Sequence, residues 1–315
     1  MTICFQGISL ETSVILLFAS ILNFIIGFYI LIAVRQRKEF RDFGILCLFE
    51  GAWDVLFSIP FFNHSSTLFW ARAMTIPMIF CPLLLVRFIY PYVFNKDLSR
   101  ICNYLILIGY ILPITVFSFT DFYISRAEIL NSKLHFEAGL LYDYFVIGGV
   151  LSLLYSIFVL CIGIKRRRGM DRVRLVYFAI GVFVWLGFIG TFTFAFKLFG
   201  LPEYNFIAPI GCTLATAIWS IGIIKINLFE SSGFELLDKN NSLIVRANIL
   251  ILKTVDNVSY QKAVYRYNKN LIARIIQNFT HLQVNTNLSS EEIYSFLAHK
   301  NKSFIPLKFY QQKRS

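Results

Sequence analysis

An all-α membrane protein, a bundle of seven transmembrane helices with a small cytoplasmic α-rich tail, is the fold class this sequence predicts, and three observations predict it. Of 315 residues, 57% are hydrophobic and only 15% charged, with a mean hydropathy of +0.64, far from the usage of soluble domains. Apolar stretches long enough to cross a bilayer, about 20 residues each, recur along the first 228 positions. Lys and Arg collect in alternate connections between them, as the positive-inside bias of membrane topology leads one to expect.

The elements follow in order. Residues 1–11 carry no Lys or Arg, and Glu11 precedes the apolar run; a cleavable signal would start with basic charge, so this segment reads as an extracytoplasmic N-terminus. Seven spans are then predicted at roughly 12–34, 43–62, 68–92, 101–119, 142–164, 175–198 and 204–228, making 12–230 one membrane domain. The runs are continuous rather than alternating, and lipid demands internally satisfied backbones, so helices are favoured over barrel strands. Arg35, Arg37, Lys38 and Arg41 follow the first span, Lys96 and Arg100 the third, and "KRRRGMDRVR" (165–174) the fifth. The alternate loops are poorer: 63–67 has no basic residue, 120–141 has Arg126 and Lys133, and Lys197 follows span six. This bias predicts a multi-pass membrane protein with its N-terminus outside and its C-terminus in the cytoplasm. Much of the net charge of +12 then belongs to topogenic loops beside anionic lipid. The lipid bilayer is an expected partner and nucleic acid is not.

One stretch of span two, "LFEGAWDVLF" (48–57), carries two acids in an apolar run. Four residues apart, Glu50 and Asp54 share a helix face. A charge near mid-membrane costs about 2.5–3.5 kcal/mol on insertion scales, so it normally faces the bundle interior and finds a partner. Span three runs antiparallel and offers Arg72 and Arg87, so Asp54 is expected opposite Arg72 and Glu50 opposite Arg87. Two uses of these residues stay open. They are interhelical pins holding spans two and three in register, or they form with Trp53, Trp70 and Tyr142 a polar cleft for a small-molecule ligand or protons. Pro77, Pro82, Pro113 and Pro209 would bend their helices and free backbone carbonyls.

Signals for catalysis, metals and cofactors are weak. The six cysteines lie almost wholly within spans and, like the four histidines, lack metal-ligand spacing. No catalytic residue, metal, cofactor or structural disulfide is expected. Glu137, Tyr142 and Asp143 near the outer end of span five are the acid-bearing cluster nearest to a catalytic arrangement, and they read better as solvating that end.

Residues 231–315 form the predicted cytoplasmic tail. "LIVRANILIL" (243–252) is too short to span, and periodicity leaves strand and helix open. From 260 to 282 apolar residues recur at helical spacing, from Tyr260 and Val264 through Ile275 and Phe279 to Leu282, predicting an amphipathic helix that needs cover. A cytoplasmic signalling partner, a homodimer through this helix, or the inner leaflet would supply it. Ser289 and Glu292 are spaced as a capping box for a short helix at about 290–300.

"LFWARAMTIPMIFCPLLLVRF" (68–88) opens with Trp and Arg and continues with Pro77 and Pro82, and "YNFIAPIGCTLATAIWSIGIIKINLFE" (204–230) has a Pro–Gly entrance and a Lys-x-Asn-Leu-Phe-Glu exit. With Trp53, these resemble the seven-transmembrane sensor region at the N-terminus of many bacterial histidine kinases, over about residues 5–230. The resemblance implies a helical bundle that receives a signal and a cytoplasmic module that answers it; it implies no particular ligand residues. No Gly-rich phosphate loop follows Glu230, and His281 lacks the acidic neighbour of a phosphoacceptor box, so this chain is not expected to be an enzyme. A retinal protein would need a Lys midway along the last span, where Lys225 sits at its exit. The expected function is that of a sensor passing a signal to its tail and a partner. The alternative is a small transporter or permease, although the spans show no internal repeat.

Overall fold

The computed structural model describes residues 3–33, 38–62, 66–130, 133–195, 199, 207–225, 243–286, 288–293 and 295. Two compact units divide the chain: Met1–Arg166 with Leu175–Ile223, and Arg167–Arg174 with Ile224–Ser315.

The first unit is the membrane bundle. Among the described residues six helices are long and apolar enough to cross a membrane: Ser13–Ile32, Phe40–Phe62, Thr67–Phe94, Arg100–Phe117, Leu140–Arg166 and Met170–Thr193. A seventh apolar helix, Ala208–Ile224, is shorter. The ends of predicted span seven, 204–206 and 226–228, lie outside the described residues, as does the Lys-x-Asn-Leu-Phe-Glu exit after Lys225. The elements are α1 (Ile3–Ala33), α2 (Lys38–Phe62), α3 (Thr67–Ala73) and α4 (Thr75–Phe94). Then come α5 (Arg100–Ile106) and α6 (Leu112–Phe117), joined by a π-helical turn at Leu107–Ile111. After a hairpin follow α7 (Leu140–Arg166) and α8 (Met170–Phe188), the latter running into a π-helical stretch at Ile189–Ala195. Last is α9 (Ala208–Ser220), continued by a π-helical turn at Ile221–Lys225.

Close packing of α1 on α2 follows from glycine. A Cβ on Gly27 would lie 3.0 Å from the Gly44 carbonyl and 2.8 Å from Leu48 Cδ2, so only a missing side chain lets the backbones meet. An aromatic core then ties α2, α4, α8 and α9 together. Phe43 meets Phe88 at 5.0 Å, Phe88 meets Phe178 at 4.9 Å, and Trp219 meets Trp185 at 5.7 Å between ring centroids. The Trp219 indole is also satisfied, donating to the Phe178 carbonyl at 2.9 Å, as a buried Trp must be. Phe18, Ile32, Ile101, Leu105 and Phe158 face outward, the apolar coat that lipid requires.

The 120–141 loop departs from the all-α expectation. Its residues form an antiparallel hairpin of β1 (Ile124–Leu130) and β2 (Lys133–Ala138), with Ala127 opposite Phe136 and Ile129 opposite Leu134. Tyr123, Ile124 and Leu134 are buried, so the hairpin is packed onto one end of the bundle and closes it.

The second unit contains α10 (Leu243–Val255), which takes the helical alternative that periodicity leaves open, and α11 (Asn257–Asn285). Asp256 caps α11, accepting from the Ser259 N–H at 3.1 Å. It also accepts from the Gly169 N–H at 2.8 Å. That donor, with the Ser259 donors and the nearby Arg172, holds the Asp256 carboxyl below the usual range. The capping box forms as well, Ser289 N–H donating to Glu292 Oε2 at 2.8 Å and Glu292 N–H to Ser289 Oγ at 3.3 Å.

Candidate functional site

Glu50 and Asp54 lie near the middle of α2, fully buried. Among the described residues no arginine meets them. Arg72 turns to the chain leading into the hairpin: Nε donates to the Ile124 carbonyl at 2.9 Å, Nη1 to the Phe119 carbonyl at 2.6 Å, and Nη2 to Asp121 at 2.6 Å. Arg87 pairs with Asp42 at 3.2 Å, near the other end of α2. The pairing of Asp54 with Arg72 and of Glu50 with Arg87 expected from sequence is thus corrected. Each guanidinium stays near its own end of the bundle, where carbonyls and the exposed Asp121 satisfy Arg72 and the buried Asp42 satisfies Arg87 without either being carried to mid-membrane.

What faces the acids instead is a set of neutral polar side chains from α1 and α9. Asn23 Nδ2 donates to Asp54 Oδ2 and to Thr213 Oγ1, each at 3.0 Å. The Thr216 hydroxyl donates to Glu50 Oε2, and Ser20 Oγ donates to the Gly51 carbonyl at 3.0 Å. The register explains the fit. Rising along α2 from Glu50 to Asp54 is matched by falling along α9 from Thr216 to Thr213, so one turn of each antiparallel helix presents two oxygens to the other. Asn23, Thr213 and Thr216 were not singled out by sequence reasoning. Three oxygens of the cluster are buried without a hydrogen-bond partner: Asn23 Oδ1, Glu50 Oε1 and Asp54 Oδ1.

The aromatic members of the predicted cleft go elsewhere. Trp53 and Tyr142 line an apolar cavity of about 90 Å³ with Met78, Phe136, Trp185 and Thr193. That is space for several water-sized spheres. Phe136 comes from the hairpin, so β2 forms part of the cavity wall. Glu50 and Asp54 do not line it, being turned from Trp53 around α2. Trp70 is absent from both groups; its ring packs on Phe69 at 5.1 Å. A single cleft of seven residues resolves into a polar knot, an apolar cavity and two separately engaged arginines. No group of three or more His, Cys, Asp or Glu side chains suited to a metal occurs among the described residues.

An apolar helix bundle with acids locked in its interior defines a multi-pass integral membrane protein. The chain belongs to the family described as the N-terminal 7TM region of histidine kinase, whose model matches residues 15–232. No curated protein matches the chain. Family membership makes this a membrane sensor region of the kind found in histidine kinases, and the matched segment covers the bundle, the hairpin and the polar knot.

Proposed function

We propose that this protein is a bacterial inner-membrane sensor in which the polar knot couples signal to output. The hairpin end would face outward and the tail the cytoplasm, as the Lys and Arg distribution favours. An external or intramembrane signal would change the packing of α1 and α2 against α9. Because α9 leads toward the tail, that change would reach α10 and α11, and α11 would hand it to a cytoplasmic signalling partner, such as a kinase module, or to a second copy of this chain. The bundle itself would do no catalysis. Ligand binding would belong to the cavity beside Trp53 and Tyr142, whose apolar wall and few polar groups suit a small molecule.

The observation that carries this reading is the hydrogen-bonded knot joining α9 to α1 and α2 through Asn23, Asp54 and Thr213. In nanodiscs, Asp54→Ala should leave the protein inserted and helical while changing amide hydrogen exchange along 257–285. Unchanged exchange there, in a correctly inserted variant, would sink the coupling. Solute flux through liposomes bearing the wild type would instead favour a permease, since a sensor moves nothing.

A further inference from the structure

The knot has too many acceptors for its hydrogens. Asn23 supplies two amide hydrogens, and both are used, on Asp54 Oδ2 and Thr213 Oγ1. The Thr216 hydroxyl has one hydrogen and two acceptors in reach, Glu50 Oε2 and the Cys212 carbonyl at 3.0 Å. Thr213 is placed likewise between Asp54 Oδ2 at 3.5 Å and the Pro209 carbonyl at 3.3 Å. Beyond these, Asn23 Oδ1, Glu50 Oε1 and Asp54 Oδ1 have no donor at all. A hydroxyl gives one hydrogen and an ionised carboxylate none, so the surplus is built into the residue types. Buried polar groups left without partners usually mark a water or an ion. A water would bring two hydrogens but would leave two carboxylate charges uncompensated at mid-span, where charge is costly. Among the described residues no Arg or Lys offsets them, Arg72 and Arg87 being engaged with Asp121 and Asp42.

An oxygen-rich, donor-poor recess bearing two carboxyl groups is the environment hard cations select. We infer that Asn23, Glu50, Asp54, Thr213 and Thr216 form an intramembrane sodium site, the ion held by the amide oxygen, the two carboxylates and the threonine hydroxyls where α1, α2 and α9 meet. One sodium ion and one carboxylic proton together neutralise the pair. A divalent ion fits less well, because it gives up its hydration shell more reluctantly in so dry a place. Occupancy would tie α9 to α1 and α2. This assignment does not depend on the sensor reading, since a bundle with another role would hold the ion equally well.

The test is a sodium titration of the purified full chain in nanodiscs, with choline chloride holding ionic strength constant and K⁺ and Ca²⁺ as parallel arms. Thermal unfolding should shift upward saturably with Na⁺, by roughly 5 °C at a hundredfold excess over the dissociation constant, and equilibrium binding of radioactive sodium should approach one ion per chain. Asp54→Asn should abolish both. Thr213→Val, which removes a neutral ligand and no charge, should raise the half-saturating concentration by at least about tenfold, and it keeps the test decisive if the first variant fails to insert. Asp121→Asn, on the exposed loop, should respond like wild type. Equal shifts with Na⁺, K⁺ and choline, a response to Ca²⁺ alone, or unfolding that follows pH and ignores Na⁺ would each overturn the site.

Discussion

Arg72 shows how a single residue is decided by what lies within its reach. Its guanidinium satisfies carbonyls at Phe119 and Ile124 as well as Asp121, a fork that lysine cannot reproduce. The ion pair contributes little, because Asp121 is 84% exposed while Arg72 is 12% exposed and exposed pairs yield about 0–1 kcal/mol. The Ile124 carbonyl matters more, since removing its donors leaves a part-buried acceptor bare at about 1–3 kcal/mol. Arg72→Ala and Arg72→Lys should therefore both lower the unfolding temperature clearly and speed proteolysis within 119–138, whereas Asp121→Asn should hardly move either; a large effect of Asp121→Asn would reverse the assignment. The two acids of α2 were legible as buried charge in need of company. Their company was not, because charge complementarity between neighbouring spans points to arginine, while Asn23, Thr213 and Thr216 look inert in sequence. A mid-helix threonine satisfies itself on a carbonyl four residues back, as Thr216 does on Cys212, so nothing in its position advertises a second role.

At the scale of elements, the helices were readable from apolar run length and the hairpin was not. Its strands are short, and their alternation is blurred by residues that bury against the bundle rather than into a sheet. The joint to α7 shows how tightly it is seated. The Gly139 N–H donates to the Tyr123 carbonyl at 2.9 Å, and a Cβ at Gly139 would fall 2.1 Å from the Phe122 carbonyl oxygen. Gly139→Ala should thus cost about 3 kcal/mol, seen as a lower unfolding temperature and a loosened hairpin; a neutral outcome would mean the joint opens freely. In the second unit Asp256 fixes the start of α11. Its folded-state carboxyl is held below the ordinary value of about 3.9, chiefly by the Gly169 N–H. Its contribution is therefore complete above that ordinary value and fades as pH falls through the lower folded one. Asp256→Ala should remove this acid-side dependence and cost about 1 kcal/mol of capping, measured as faster amide exchange across 257–262 at neutral pH.

Across the whole molecule, the count of crossings and the direction of threading rest on different physics. Among the described residues hydropathy and length find six full spans and a seventh apolar helix, Ala208–Ile224, and that last helix buries the hydroxyls of Thr213, Thr216 and Ser220. Those hydroxyls are met by Asn23 and Glu50 or by carbonyls of the helix itself. Direction depends on charge alone. The last turn of α7 and the loop that follows it hold Lys165, Arg166, Arg167 and Arg168, whereas the hairpin connection holds Arg126 and Lys133. Arg126 is paired with Glu128 of the same strand at 3.2 Å, although acids weigh little in threading. The inner-leaflet surface attracts Lys and Arg by about 1 kcal/mol each, so the cluster after α7 should dominate. Alkaline phosphatase fused after Thr120 should be active, and fused after Gly169 or Asn285 it should be silent, with fluorescent-protein fusions giving the inverse pattern. Replacing Arg166, Arg167 and Arg168 with Asn should weaken that contrast, because the bias would then rest on Lys165, Arg172, Arg174 and the basic residues that follow the first and third spans. Phosphatase activity after Gly169 in the unaltered chain would turn the bundle over and place α11 outside the cell, where no cytoplasmic partner could meet it.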